Sequence, residues 1–168
     1  TYMIHCDSDD WVEPEMYEAM YDKAITSQAD VVFCKFIKEF KDHKLIEGDL
    51  ISTNPHEAIN RFTNNYYMYT WNHLVRRELI TKYDIIPEDN LKYGEDAYYM
   101  IRVYYYSNHI AHIDFPFYHY NLTNENQTTR ANRKFIQSQM IKLVKLLEKF
   151  FEHKNGNFNP LLSAMKRR

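Results

Sequence analysis

The chain has 168 residues, enough for a single domain with a substantial core, and 45% of them are hydrophobic and 16% aromatic, which argues against disorder. Its formal net charge is only −2, and no apolar run approaches the ~20 residues needed to cross a bilayer as a helix. That charge is unevenly spread: residues 1–129 carry −10 and residues 130–168 carry +8, the footprint of an acidic body with a cationic tail suited to an anionic surface or another chain.

The chain opens on Thr1 in the middle of an expected strand, so an N-terminal part is expected to precede it. The apolar start runs through Ile4-His5-Cys6 into Asp7-Ser8-Asp9-Asp10-Trp11. A strand ending in clustered carboxylates delivers hard oxygen ligands to the carboxyl edge of a sheet, where open α/β folds bind their ligands. Mg²⁺ or Mn²⁺ suits such oxygens and is held by one or two carboxylates together with substrate phosphates. The same residues are good turn and helix-entry chemistry ahead of Glu13-Pro14-Glu15, so both readings stand at this point.

Pro14 suits the first turn of a helix that runs to about Ser27, with Met16, Tyr17, Met20, Tyr21 and Ala24 as its apolar face. Val31–Ile37 is β-branched and aromatic enough for a strand, and Lys44–Ile46 pairs with it across Lys41-Asp42-His43. Cys6 and Cys34 both fall in strand-like runs and are expected to be buried free thiols. Asn54-Pro55 starts a helix carrying Ala58, Ile59 and Phe62 to about Asn64. The cluster Tyr66, Tyr67, Tyr69 and Trp71 offers flat faces of the kind sugars stack on, or an aromatic core.

A short helix spans about Arg77 to Tyr83, and Tyr93-Gly94-Glu95-Asp96 opens a long one with Tyr99, Val103 and Tyr106 on one face. Asp96 in its first turn is expected to be held anionic by the helix dipole. Ile110–Asp114 and Phe117–Asn121 read as two short strands around Phe115-Pro116, and Leu122–Arg130 as a polar lid-like loop. The last element, about Ala131 to His153, is amphipathic, with Ile136, Met140, Leu143, Val144, Leu147, Phe150 and Phe151 as its stripe. It packs on the domain or lies on a membrane surface through Lys142, Lys145 and Lys149. Only three glycines occur, so no Gly-rich phosphate loop is present in the sequence.

Four segments in order, Asp7 through Pro14, Trp71-Asn72 through Arg76-Arg77, Tyr93-Gly94-Glu95-Asp96 and Tyr118-His119-Tyr120, closely resemble the motifs of family-2 glycosyltransferases of the GT-A fold. Three positions depart from the pattern: His73 stands where Lys is commoner, Asn121 where Arg is usual, and Ala131 where processive synthases carry Trp after Gln127-Thr128-Thr129-Arg130. The last departure favours transfer of one sugar over polymerisation.

The resemblance implies an α/β fold of the Rossmann-like GT-A type, present in part, over residues 1–130, with a helical extension over 131–168. It implies an inverting transferase that moves a sugar from a nucleoside-diphosphate sugar to a hydroxyl of a saccharide or lipid-linked acceptor, in bacterial polysaccharide or glycoconjugate synthesis. Asp96 takes the part of the general base. Asp7, Asp9 and His119 surround Mg²⁺ or Mn²⁺, and Asp10, Trp71, Asn72, Glu95 and Arg130 contact donor or acceptor. A cytoplasmic location with peripheral contact to an anionic membrane, and no nucleic-acid partner, complete that expectation. A non-catalytic docking domain on the same fold and a nucleotidyltransferase remain the alternatives.

Overall fold

The structure is a computed structural model that describes residues 1–50, 52–62, 68–123 and 132–167. In chain order the described elements are β1 (Tyr2–Met3), β2 (Trp11–Val12), α1 (Met16–Thr26), β3 (Val31–Glu39), β4 (Lys44–Glu47), α2 (Pro55–Arg61) and β5 (His73–Arg76). They continue with α3 (Arg77–Lys82), α4 (Glu95–Tyr106), β6 (Ile110–Asn121), α5 (Arg133–Phe151) and α6 (Asn159–Lys166). The strands form one mixed sheet in the order β1-β5-β3-β6-β2, with β4 paired to β3 off that path.

The parallel pair β3–β6 is its spine, and the other pairings are antiparallel. The first half of β3, Val31–Cys34, is apolar on both faces because both are covered, which is why it reads as a hydrophobic run rather than an alternation. Val32, Cys34 and Phe36 point into one core with Met16, Met20 and Ala24 of α1. Val31 and Phe33 point into the other, built with Ala58 and Ile59 of α2, Met100 and Ile101 of α4, Leu143 and Leu147 of α5, and Leu161 of α6.

The fold departs from several expectations. β1 stops at Met3, so Ile4–Cys6 is irregular backbone leading to the acidic turn, and Cys6 is exposed while Cys34 is buried. On α1 the inward stripe is Met16, Met20 and Ala24 alone, leaving Tyr17 and Tyr21 exposed one residue further round. The expected pair of strands around Pro116 is one long strand, β6, which stays paired to β3 by shifting register between Cys34 and Phe36. A bulge of this kind accommodates a proline that cannot donate to the ladder.

α2 starts where Asn54 caps it by accepting from the Glu57 amide and ends at Arg61 with Phe62 as its C-cap, while residues 63 and 64 of its expected span lie outside the described residues. The C-terminal segment is two helices, not one. α6 starts at Asn159-Pro160 and folds back so that Phe158 stacks on Phe151 with ring centroids 4.1 Å apart. The apolar stripe of α5 packs into the same core as α4, and Lys142 donates to the Asn90 carbonyl. None of the described helices is long and apolar enough to cross a membrane.

Candidate active site

The acidic turn is built by the edge of the sheet. The Asp10 amide donates to the Asp7 carbonyl at 3.2 Å, closing a turn between Ile4–Cys6 and β2. Antiparallel pairing of Trp11 and Val12 with His119 and Tyr118 brings the far end of β6 beside that turn. Tyr118 then ties it down: its hydroxyl accepts from the Asp7 amide at 3.1 Å and donates to Asp10 Oδ2 at 2.7 Å. The other Asp10 oxygen accepts from the Asn121 amide at 2.8 Å, and the Asn121 carboxamide donates to the Asp9 carbonyl at 3.0 Å. Asp10 is therefore a brace, and burial raises its pKa despite the hydrogen bonds from Asn121 and Tyr118.

Asp7 and Asp9, unlike Asp10, line a cavity of about 370 Å³. The segment Lys92–Ala97, which leads into and begins α4, lines it as well. Tyr69, Trp71 and Tyr120 supply an aromatic wall, and Met140 and Leu143 of α5 close the apolar side. Gly94 makes this closure possible: it caps α4 in the left-handed region at φ 81°, and a Cβ there would lie 2.9 Å from Leu143 Cδ2.

Asp96 is partly buried, and its Oδ1 accepts from the Thr70 hydroxyl at 3.0 Å. Burial pushes its pKa up to about 6, with the charges of Glu95 and Asp7 adding to the rise and hydrogen bonds from Thr70 opposing it. The expected lowering by the helix dipole is outweighed, because removal from water acts on the whole carboxylate charge while the dipole contributes a fraction of one. A carboxyl group near pKa 6 is ionised at neutral pH yet far more basic than a surface aspartate, as a proton acceptor requires.

The structure thus brings Asp7, Asp9, Trp71, Glu95 and Asp96 to one cavity. It places three other predicted residues elsewhere: Asp10, expected to contact donor or acceptor, is taken up in the brace of the turn, and His119 and Asn72 also lie outside the cavity lining. His119 is a correction: strand alternation turns it to the face opposite Tyr118 and Tyr120, where its nitrogens lie 2.7 Å from Glu39 and 3.0 Å from Glu13 and its ring stacks on Trp11. It is buried and outside the cavity lining, with both nitrogens engaged by carboxylates, so it is not a ligand of an ion held by Asp7 and Asp9.

Asn72 is fully buried as an extension of β5: its carbonyl accepts from the Cys34 amide and its carboxamide donates to the Cys34 carbonyl at 3.0 Å. Trp71 presents little surface to a sugar, since it is 3% exposed and stacks on Tyr69 and Tyr118 at 4.6 and 4.3 Å. Arg130, Tyr66, Tyr67 and the lid-like loop after Thr123 fall outside the described residues.

Thr70, Tyr118, Tyr120 and Lys92 were not picked out as site residues from the sequence. Tyr118 and Tyr120 were readable from the two-residue period of a strand flanking His119; Thr70 carries no such signal. Among the described residues no group of three or more His, Cys, Asp or Glu side chains is placed to hold a metal ion. Asp7 and Asp9 nevertheless suit an ion that takes its remaining ligands from a phosphate-bearing substrate.

The fold is similar to that of the crystal structure of S. aureus TarS residues 1–349 in complex with UDP-GlcNAc, with a TM-score of 0.71 at 17% identity over 94% of this chain and 44% of that one. The architecture is that of the GT-A glycosyltransferases, present in part. The sequence model "Glycosyl transferase family 2" matches residues 1–84, half of the chain, and the chain belongs to that family. It is 27% identical over 145 residues to the "Putative glycosyltransferase EpsH" of Bacillus subtilis, covering 82% of this chain and 42% of that protein. It is 24% identical over 142 residues to EpsJ of the same organism, covering 80% and 41%. The chain therefore spans less than half the length of these relatives.

Proposed function

We propose that the protein to which this chain belongs transfers a sugar from a nucleoside-diphosphate sugar to an acceptor hydroxyl with inversion at the anomeric carbon, in the synthesis of a bacterial polysaccharide or glycoconjugate. One observation carries the reading: in a chain of this family, Asp7, Asp9 and Asp96 line the same cavity, close enough for the Asp7 charge to act on the Asp96 carboxyl. In this scheme Asp96 accepts the proton of the attacking hydroxyl as the new glycosidic C–O bond forms, and the bond from the anomeric carbon to the diphosphate breaks, releasing nucleoside diphosphate. Asp7 and Asp9 would hold Mg²⁺ or Mn²⁺, which when bound neutralises charge on the departing diphosphate.

The chain's own residues prepare this event. Tyr118 and Asn121 fix the acidic turn, and the apolar side of the cavity from Met140 and Leu143 keeps water from Asp96 and sustains its basicity. Glu95 and Lys92 flank the space in which an acceptor would sit. The donor of the TarS complex, UDP-GlcNAc, is a natural first probe. The test is a screen of nucleoside-diphosphate sugars on the full-length protein with Mn²⁺ or Mg²⁺, following nucleoside diphosphate release. Release with at least one donor is expected, and folded protein that releases none refutes the reading and favours a docking role.

A further inference from the structure

The base proposed above is held from outside its own helix. α4 begins at Gly94, which has no side chain with which to cap it, and the hydrogen bond recorded at Asp96 Oδ1 comes from Thr70, 26 residues earlier. Thr70 lies in irregular backbone ahead of β5, a stretch that would be expected to move unless something pins it.

His73 is the pin. Its Nδ1 lies 2.6 Å from the Tyr69 carbonyl and its Nε2 2.9 Å from the Tyr104 hydroxyl. The ring is 1% exposed, and burial drives its pKa down to about 3, so it is neutral with one donor and one acceptor. A carbonyl can only accept, so the proton sits on Nδ1 and the Tyr104 hydroxyl donates to Nε2. Tyr104 belongs to α4, two turns beyond Asp96. The segment Tyr69–His73 is therefore bound to α4 at two points, through Tyr104 at one end and Asp96 at the other, and stacking of Tyr69 on Trp71 stiffens it between them.

Resting on the reading of Asp96 as the base, we propose that Thr70 is a positioning residue for the transfer reaction. Its hydroxyl, fixed relative to α4 by the His73–Tyr104 tether, donates to Oδ1 of the Asp96 carboxylate and, with the Thr70 backbone that also bonds this carboxyl, sets its orientation towards the acceptor hydroxyl. The inference needs no charge change at Thr70 and no contact between Thr70 and substrate.

The test compares variants of the full-length protein with a nucleotide sugar that supports turnover. Thr70→Val, which keeps the shape and removes the donor, is expected to lower kcat on the order of tenfold or more with donor KM unchanged, since small misplacements of a reacting group are costly. Thr70→Ser restores kcat. With Asp96→Asn in place, adding Thr70→Val causes no further loss. Unchanged kcat in Thr70→Val, or a loss that multiplies with that of Asp96→Asn, overturns the proposal. Thr70→Ala replaces the valine variant if thermal melting shows that variant unfolded. A crystal structure of the Thr70 variant decides independently of turnover: a displaced Asp96 carboxylate supports the proposal and an unmoved one overturns it. Failure of every donor with the wild-type protein instead strikes the proposed function.

Discussion

Asp96→Asn tests the electrostatics of the cavity without needing a substrate. In the folded chain the Asp96 carboxyl titrates near 6, above the 3.8 of an exposed aspartate, so the native state binds its proton more tightly than the unfolded state does. Above pH 6 both states have lost that proton, and the folded state bears the full cost of an ionised, partly desolvated group. At ~1.4 kcal/mol per tenfold change in acidity, the difference corresponds to roughly 3 kcal/mol, of which about 2 kcal/mol is expected once partial solvent access is allowed for. Asparagine keeps the shape and can still accept from Thr70, so it removes the charge and little else. In metal-free protein at pH 8, thermal unfolding should show Asp96→Asn melting about 4–8 °C above wild type. The gain should fall to about half at pH 5 and vanish below pH 4, because wild-type Asp96 becomes protonated in the folded state as pH falls. No gain at pH 8, or a gain that grows towards acid, refutes the assignment of a desolvated, raised-pKa carboxyl group.

Other perturbations separate bracing from chemistry. Tyr118→Phe removes the hydroxyl that holds the Asp7 amide and Asp10 Oδ2, and urea titration should show a loss of about 1–3 kcal/mol. His119→Gln should destabilise by about 2 kcal/mol, less than a fully broken buried pair because Lys44 still reaches Glu39 at 2.9 Å, and should leave Mn²⁺ affinity, read by calorimetry, unchanged. Gly94→Ala forces a side chain into the left-handed region and against Leu143, and should cost about 1–3 kcal/mol and lower turnover by displacing the start of α4. Burial raises the pKa of Glu39, but hydrogen bonds from His119 and Lys44 outweigh it and hold the group below the usual carboxylate range. The stability this contributes is present above the unfolded pKa and is lost as pH falls through the folded one, so the His119→Gln defect should narrow in acid.

What could be read in the sequence is what local chemistry decides. Pro14 ahead of α1, the Asn54-Pro55 cap of α2, the β-branched run of β3 and the clustered carboxylates at Asp7 to Asp10 each carry their own signal. So did the pairing of that turn with Asp96, once four motifs in order had suggested the family. What escaped is what only tertiary contacts decide. Strand alternation turns His119 away from the cavity although Tyr120 lines it, and Asn72 gives its backbone carbonyl and its carboxamide N–H to Cys34. Asp10 is consumed by Tyr118 and Asn121 while its neighbours Asp7 and Asp9 line the cavity. The Asp96 pKa rises because of burial, which no count of nearby helix residues reveals, and Thr70 is 26 residues from the carboxylate it holds. The helix α6 was overlooked although Asn159-Pro160 followed by Leu161, Leu162 and Met165 is a start signal with an apolar stripe.

In the proposed mechanism two sets of carboxylates act on one bound sugar in different ways, and donor binding measured beside transfer separates them. In the full-length protein with Mn²⁺, Asp96→Asn should bind the productive nucleotide sugar as wild type does and fail to transfer it, whereas Asp7→Asn combined with Asp9→Asn should lose binding itself. Wild-type transfer rates in Asp96→Asn, or undiminished donor affinity after both turn carboxylates are neutralised, would contradict it.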